Sequence, residues 1–573
     1  MRSIEKVSDL SVEDYINLKK MLDDLVSYEK NVKFEIETHK FIPSFSHLIR
    51  DFMFLLKCHA CLSFPKYSSI GLLVNQVFEF SGYREKQYES IMSFINEKNT
   101  LVILPTGNGK TMCWVAPALI SEGLTVIFTL LKALIDDKIR ELINIGIPCA
   151  GLYTPTSHPS NYQEKVFGKI AVNFLRVLFV TPEKFHKNPV FRLMLMRISQ
   201  IRPIRFVIDE AHCIVEQEYF RKAWKNLGTL KQLFPLSPHM LLTATCSTNE
   251  ARKIQSIMNI QVGDLNIVRS SSFVRSEITF EVQTKSSKER TIDEICDQIR
   301  RVENGYCIVY CASLANCEEV LELIKIKLES ISLDVYHGNL IQEAGRAGRD
   351  RREAKHIIYY SRQDIKTVYR IVASEESSTD DMEYQEYLEE KQKKILEIML
   401  FCESQYECHQ KLLVQYYSWD GDEEVLPCEK CDNCLRRQNH CPIIQDARQD
   451  ALYILQVVDT VTNYMKNNIE NTIRNDIVQV FCRSKSMSII KKKLNQLDIY
   501  KENYKRILKR QEEVAYLLED LAIRGLVKVK FKLSKPTPTS QINCNLIYIG
   551  VTENAIERAS IGCWLYFVKN CQK

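Results

Sequence analysis

The stretch Leu101-Val102-Ile103-Leu104-Pro105-Thr106-Gly107-Asn108-Gly109-Lys110-Thr111 restricts the fold more than any other part of the chain. An apolar run that reads as a buried strand breaks into a loop with two glycines, and Lys-Thr then opens a helix. Such a loop turns successive backbone N–H groups inward, and the helix behind it adds its positive end. The product is a cradle for a phosphate chain. There Lys110 neutralises the outer phosphates and the Thr111 hydroxyl holds Mg2+, while Thr106, Gly107, Asn108 and Gly109 supply the loop. The strict pattern places a glycine where Leu104 stands, so the match is to the general plan and not to every position.

The segment around this loop alternates strand-like apolar runs with helical patterns. Strands are predicted at Leu101–Leu104, Thr125–Thr129, Arg176–Val180, Phe206–Ile208 and Met240–Thr243. Alternation of this kind predicts an α/β fold, a parallel sheet with helices on both faces. Ligands of such sheets gather at the carboxyl ends of the strands. Asp209-Glu210-Ala211-His212 falls at one such end. Asp209 there would reach the Mg2+ hydration shell, and Glu210 would position and activate an attacking water. Thr181-Pro182-Glu183 and Thr243-Ala244-Thr245 fall at two others.

At 573 residues the chain should hold about three to five domains. Hydrophobic residues at 45% and charged residues at 26% are ordinary for a soluble globular chain. A net charge of +5 says little about partners at this length, so local basic clusters must carry any nucleic-acid argument. The first ten residues have no apolar core, so no secretory signal is expected. The most apolar early run, Phe52 to Leu56, is too short to span a bilayer, and an intracellular chain without membrane contact is expected. Most of the twenty cysteines sit singly among apolar residues, as Cys113, Cys246, Cys307 and Cys311 do, and are expected to be buried small hydrophobes.

Residues 75–270 resemble the first motor domain of the RecQ family of superfamily 2 DNA helicases. Tyr83-Arg84-Glu85-Lys86-Gln87 is similar to the family's adenine-reading motif, which implies that Arg84 and Gln87 contact ATP, with Gln87 on the base. Leu131 to Asp137 and Val180 to Phe185, with Thr181, resemble motifs that contact the DNA strand. Leu242-Thr243-Ala244-Thr245 resembles the motif that couples hydrolysis to movement. The family's aromatic-rich loop is represented by Val215 to Arg221, one residue short and without its tryptophan. Tyr219 and Phe220 could stack there on bases or pack internally.

A second, smaller α/β region follows, with strands predicted at Cys307–Cys311, Leu333–Tyr336 and His356–Tyr360. Gln342 to Asp350 resembles the family's arginine-finger motif, which implies that Arg346 and Arg349 stabilise charge on the γ-phosphate. In the family, some tens of residues separate a His-Gly-like turn from that motif. Here only Asn339-Leu340-Ile341 separate His337-Gly338 from Gln342. A linker this short spans roughly 15 Å and cannot contain a sheet crossover, which needs about a dozen residues. The second motor domain is therefore expected to be truncated, by a skipped exon, a faulty gene model or evolved loss.

Cys428, Cys431 and Cys434 have metal-ligand spacing and need a fourth partner for a closed tetrahedral site. The resemblance points to Cys408, at the head of a helix like the one before the family's zinc cysteines; Cys402 and His409 are alternatives. Farther on, Arg483-Ser484-Lys485-Ser486 and Lys491-Lys492-Lys493 form a basic patch suited to DNA phosphates. A helix through Val514, Leu517, Leu518 and Leu521 should end at Gly525, with wing strands at Val527–Leu533 and Asn545–Ile549. The wing tip, 534–540, has no aromatic residue to separate strands.

The expected order is a helical leader over residues 1–70, with a stripe from Ile16 to Leu25 capped by Ser11; two RecA-like motor domains at 71–275 and, truncated, 276–373; an acidic linker at 374–390; a zinc-binding subdomain at 391–440; and a winged-helix domain at 441–565. Kinship implies an ATP-dependent 3′-to-5′ DNA helicase with Mg2+ and structural zinc, acting on single strands and duplex junctions in nuclear recombination or repair. It also implies impaired turnover for this chain. The competing readings are a DNA-binding pseudo-helicase and a nucleotide-gated scaffold.

Overall fold

The computed structural model describes residues 78, 82–129, 132–153, 162–171, 174–216, 222–302, 305–311, 313–328, 352–374, 382–439, 443–468, 471–533, 544–562 and 564–567. The leader, the aromatics Tyr219 and Phe220, the arginine-finger motif with Arg346 and Arg349, the Gly338–Gln342 junction, the predicted strand Leu333–Tyr336, the acidic run at 375–381 and the wing tip lie outside the described residues.

The first domain is one seven-stranded sheet. Its strands are β1 (Asn99–Ile103), β2 (Leu124–Phe128), β3 (Cys149–Leu152), β4 (Val177–Val180), β5 (Ile204–Ile208), β6 (His239–Thr243) and β7 (Leu265–Arg269). They run in the order β3-β4-β2-β5-β6-β1-β7, with every pairing parallel. The central strands β1, β2, β5 and β6 are buried throughout. That is why they read as continuous apolar runs and not as alternating ones. Phe128, Phe206 and Phe185 pack on one face, with Phe128 stacked on Phe206 at 6.3 Å and edge-on to Phe185 at 5.4 Å. Each fully buried side chain of this kind contributes about 1.5–3 kcal/mol.

All five strands predicted for this domain are present. The two additional strands are β3 and β7. Cys149-Ala150-Gly151-Leu152 has little intrinsic strand preference and takes its conformation from pairing with β4. The edge strand β7 exposes Asn266 and Ile267, so it lacks the apolar run that marks its neighbours.

The second region contains a two-stranded parallel sheet of β8 (Ile278–Thr284) and β9 (Ala354–Tyr360), with partners from Ile278↔Ala354 to Thr284↔Tyr360. The predicted His356–Tyr360 lies within β9. The predicted strand Cys307–Cys311 is not formed. Tyr306 is fully exposed and Ile308 is 59% exposed, and although Val309 packs against the cluster around Ile292 and Cys296, the run has no ladder partner among the described residues. Cys307 is correspondingly exposed and Cys311 half-buried, which corrects their reading as buried hydrophobes; Cys113 and Cys246 are buried as expected.

A 22-residue helix, Met382–Glu403, leads to the helices His409–Tyr416 and Asp432–Asn439 of the zinc-binding segment. The last domain pairs β10 (Ile443–Asp446) with a late strand and sets helices Arg448–Asn467, Arg474–Phe481 and Gln511–Ile523 around the sheet of β11 (Thr472–Ile473), β12 (Val527–Leu533) and β13 (Cys544–Val551). The late strand is β14 (Trp564–Phe567). Gly525, at φ 68°, ends the helix before β12, as its position after the apolar stripe requires. Asp450 is fully buried and holds this core together: it accepts from Tyr504 Oη at 2.7 Å, Leu508 N at 2.6 Å and Ile507 N at 3.0 Å. No helix among the described residues is long and apolar enough to cross a membrane.

Candidate functional site

Because β5, β6 and β1 are neighbours, the loops at their carboxyl ends meet. Leu104 N donates to Thr243 O at 3.1 Å, Asp209 N to Phe128 O at 2.9 Å and Ala211 N to Leu242 O at 2.7 Å. The first two bonds extend the ladder one residue past β1 and β5, and the third ties the loop after β5 to β6. The loop after β1 carries Thr106, Gly107, Asn108 and Gly109 into the helix Lys110–Ile120. Gly107 and Gly109 take φ values of 87° and 72°, in the left-handed region that side chains avoid. A Cβ on Gly109 would also come within 2.4 Å of the Gln87 amide nitrogen.

Gln87 and Arg84 sit directly on this loop. Gln87 Nε2 donates to Asn108 O and Gly109 O, both at 3.1 Å, and Gln87 Oε1 accepts from Arg84 N at 2.7 Å. The Arg84 guanidinium donates to Gly107 O. The two residues are thus next to the cradle, and in this arrangement they brace its carbonyls. Lys110 Nζ turns back onto Leu104 O at 3.1 Å, and Thr111 lies in the first turn of the helix.

Asp209 and Glu210 face the loop from β5. Burial, then the adjacent Glu210, pushes the Asp209 carboxyl up to about 6 against the pull of Lys110, Glu210 N and Lys138. Glu210 stands at φ 53°, a left-handed conformation that is costly for a long side chain and concentrates at functional sites. His212 Nδ1 lies 3.1 Å from Thr243 Oγ1 and 3.5 Å from Glu210 Oε2, and Thr243 Oγ1 donates to Thr245 O at 2.8 Å. A continuous polar chain therefore links the acidic pair on β5 to the loop after β6. The glycine loop at the start of the helix Lys110–Ile120 has the form of a phosphate cradle.

Thr181 lies away from that centre, at the end of β4. It caps the helix Pro182–Lys187, accepting from Lys184 N at 3.3 Å.

A second constellation is metallic in character. The sulfurs of Cys408, Cys428, Cys431 and Cys434 all lie within 4.8 Å of one another, with Cys408 to Cys431 and Cys428 to Cys434 both at 4.0 Å. Zinc–sulfur bonds of about 2.3 Å imply tetrahedron edges of about 3.8 Å, so the four residues fit zinc. Backbone N–H groups of Cys428, Cys431 and Cys434 point at neighbouring sulfurs at 3.3–3.4 Å, and Arg437 donates to Cys434 Sγ at 3.0 Å. Donors of this kind suit thiolates. Cys402 is buried outside the cluster. His409 directs Nδ1 to Asp432 at 2.6 Å and Nε2 to Phe401 O at 3.1 Å, bracing the site from outside.

In the winged domain, Arg483 takes φ 51° and donates to Tyr504 O at 3.2 Å, while Ser484 N bonds Gln479 O at 2.8 Å. Lys485 precedes the helix Met487–Lys491, Lys491 ends it and Lys493 follows it. Lys492 is held by the fully buried Asp476, with Nζ at 2.8 and 2.9 Å from its two oxygens. The basic run is therefore divided in use, one lysine binding inward.

A DEAD/DEAH box helicase model matches residues 84–254, and a RecQ zinc-binding model matches residues 362–435. ATP-dependent helicase SGS1 of Saccharomyces cerevisiae is 25% identical over 457 aligned residues, covering 70% of this chain and 31% of that protein. ATP-dependent DNA helicase RecQ of Pasteurella multocida is 28% identical over 414, covering 63% and 62%. RecQ-like DNA helicase blm-1 of Caenorhabditis elegans is 26% identical over 463, covering 70% and 45%. The chain thus spans less than two thirds of each relative's length. The matches give the chain a DEAD/DEAH box helicase domain followed by a zinc-binding module. The chain shares the pairing of these two domains with RecQ-type relatives and is similar to members of the RecQ family across both.

Several residues at the centre of the structure carry no sequence signal. Arg269, Trp419 and Asp422 belong to no spacing pattern, yet they join the motor sheet to the zinc segment. Asp432 and His409 could have been suspected only from their place beside the cysteines.

Proposed function

We propose that the chain is an ATP-dependent DNA helicase of RecQ type with 3′-to-5′ movement, acting in nuclear DNA recombination or repair, and that its turnover is impaired. The observation that carries the first part is the convergence of Lys110, Thr111, Asp209, Glu210 and Thr243 at three adjoining strand ends. In this reading the loop amides and Lys110 bind the phosphates, Glu210 takes the proton of the attacking water, and the His212–Thr243 contact passes the change to the loop after β6. Mg2+ held by Thr111 and Asp209 would supply charge neutralisation at the phosphates. Zinc at the four cysteines is structural and takes no part in the reaction. Single-stranded DNA and duplex junctions are the proposed substrates, with Thr181 and Lys184 on the motor domain and Arg483, Ser484, Lys485, Lys491 and Lys493 on the winged domain as contacts.

The reading of impaired turnover is favoured by the second region, whose sheet has two strands among the described residues. It is favoured too by the alignments: 63% of a 573-residue chain is fewer residues than the 414 positions aligned with the Pasteurella relative. Residues present there are missing here. The test is nucleotide binding and DNA-stimulated phosphate release by wild type and Lys110→Ala. Binding lost in the variant supports the site; equal binding by both removes it.

A further inference from the structure

The zinc segment is fastened to the motor sheet at the nucleotide end of that sheet, through residues outside both sites. Arg269 closes β7, directly beside Ile103 of β1, whose carboxyl end becomes the phosphate loop. Its guanidinium makes a two-pronged ion pair with Asp422, both bonds 2.6 Å, and donates to Tyr417 O at 3.2 Å. It also lies over the rings of Phe273 and Trp419, at 4.6 and 5.2 Å. Trp419 packs on the motor core, and its indole N–H donates to Cys246 O at 2.9 Å. Cys246 directly follows Thr243-Ala244-Thr245, the loop that shares hydrogen bonds with the phosphate loop and with His212. Asp422 also accepts from Trp419 N at 2.8 Å, so the segment Tyr417–Asp422 is braced within itself. Two further pairs, Lys253–Glu390 at 3.0 Å and Lys394–Glu250 at 3.7 Å, tie the helix after Cys246 to Met382–Glu403.

A planar, bidentate pair largely shielded from water holds one geometry, unlike an exposed lysine pair. Both motor-side anchors, Cys246 and Arg269, sit on loops or strand ends bonded to the phosphate loop. A change in that loop must therefore move both ends of the fastening together. We propose that Trp419, Arg269 and Asp422 form a latch that makes the zinc segment respond to nucleotide, with Trp419 a positioning residue for the Thr243–Cys246 loop. This rests on the nucleotide reading of the phosphate loop. The latch gives that loop a path to the zinc module that does not pass through the β8–β9 region.

Hydrogen exchange on the zinc-loaded full chain, with and without the slowly hydrolysed analogue ATPγS and Mg2+, tests this. Expected is at least threefold slower exchange at residues 106–112 and also at 417–422. In Trp419→Phe and in Asp422→Asn, the loop should remain protected while 417–422 no longer responds. Zinc content and protection of the helix Arg448–Asn467 verify that each variant is folded, and the wild-type comparison alone already decides whether the segment senses nucleotide. Protection at 106–112 with no change at 417–422 in wild type overturns the latch and leaves the nucleotide site standing. A response at 417–422 that survives both substitutions also overturns it. No protection at 106–112 brings down the nucleotide reading, and the latch with it.

Discussion

Gly109 shows how little freedom a single position in the cradle has. Its φ of 72° strains any side chain, and a Cβ there would displace the Gln87 amide that braces the loop. Gly109→Ala should cost about 1–2 kcal/mol in loop geometry, and so weaken nucleotide binding by about five- to thirtyfold. Calorimetric titration checks this, and an unchanged affinity would mean that the loop does not bind in this conformation. His239, fully buried on β6 beside Phe206, has a different constraint. Burial, then Lys231, holds its imidazole down at about 3, with Nδ1 bonded to Ser237 O at 3.0 Å. The unfolded chain therefore takes up a proton near pH 6.5 that the folded chain refuses. This contribution to stability is intact above pH 6.5 and is lost as pH falls toward 3, by about 1.4 kcal/mol per pH unit. Thermal melts between pH 7 and 5 should fall less steeply for His239→Gln; parallel slopes would show that the histidine is not held neutral.

At the level of elements, the zinc segment and the winged domain each make a distinct prediction. The four cysteines come from a helix start, a loop and a second helix start, so no backbone ladder holds them together. The metal must do so. Cys431→Ser should reduce bound zinc from about one per chain to near none, with loss of the helices His409–Tyr416 and Asp432–Asn439. Metal analysis with circular dichroism measures both, and full zinc retention removes the assignment. In the winged domain, Lys491 and Lys493 are available to phosphates while Lys492 is bound to Asp476. Replacing Lys491 and Lys493 by Ala should lower the salt-dependence slope of duplex binding by about two. The same binding titrations would return these lysines to solvent if the slope did not change.

For the whole molecule, the first domain is a sheet buried along its central strands and the second region is not. A motor must close two lobes around nucleotide, and the second contributes two paired strands and an exposed apolar run, Tyr306 to Tyr310, among the described residues. The purified chain should therefore show little DNA-stimulated ATP hydrolysis or unwinding, whatever its nucleotide affinity. Turnover on the scale typical of enzymes, about 10 per second, would refute this. Sequencing the transcript across Gly338–Gln342 would establish whether the short junction belongs to the expressed message.

The sequence alone determined the parts whose physics is local. A buried parallel strand needs an unbroken apolar run, a phosphate loop needs glycines before Lys-Thr, and a zinc site of this kind needs thiols with two residues between them. Hence β1, β2, β4, β5 and β6 and the cysteine cluster were all legible. Only the tertiary structure decided what depends on a distant partner. β3 and β7 are strands because neighbours pair with them, whereas Cys307–Cys311, an apolar run of similar length, has no ladder partner among the described residues and is not one. Lys492 turns inward because Asp476 is buried beneath it. Trp419 and Arg269, 150 residues apart, meet because β7 ends beside the phosphate loop, where the zinc segment comes to rest. No spacing in a chain encodes such a contact, since its free energy comes from surfaces that exist only after both have folded.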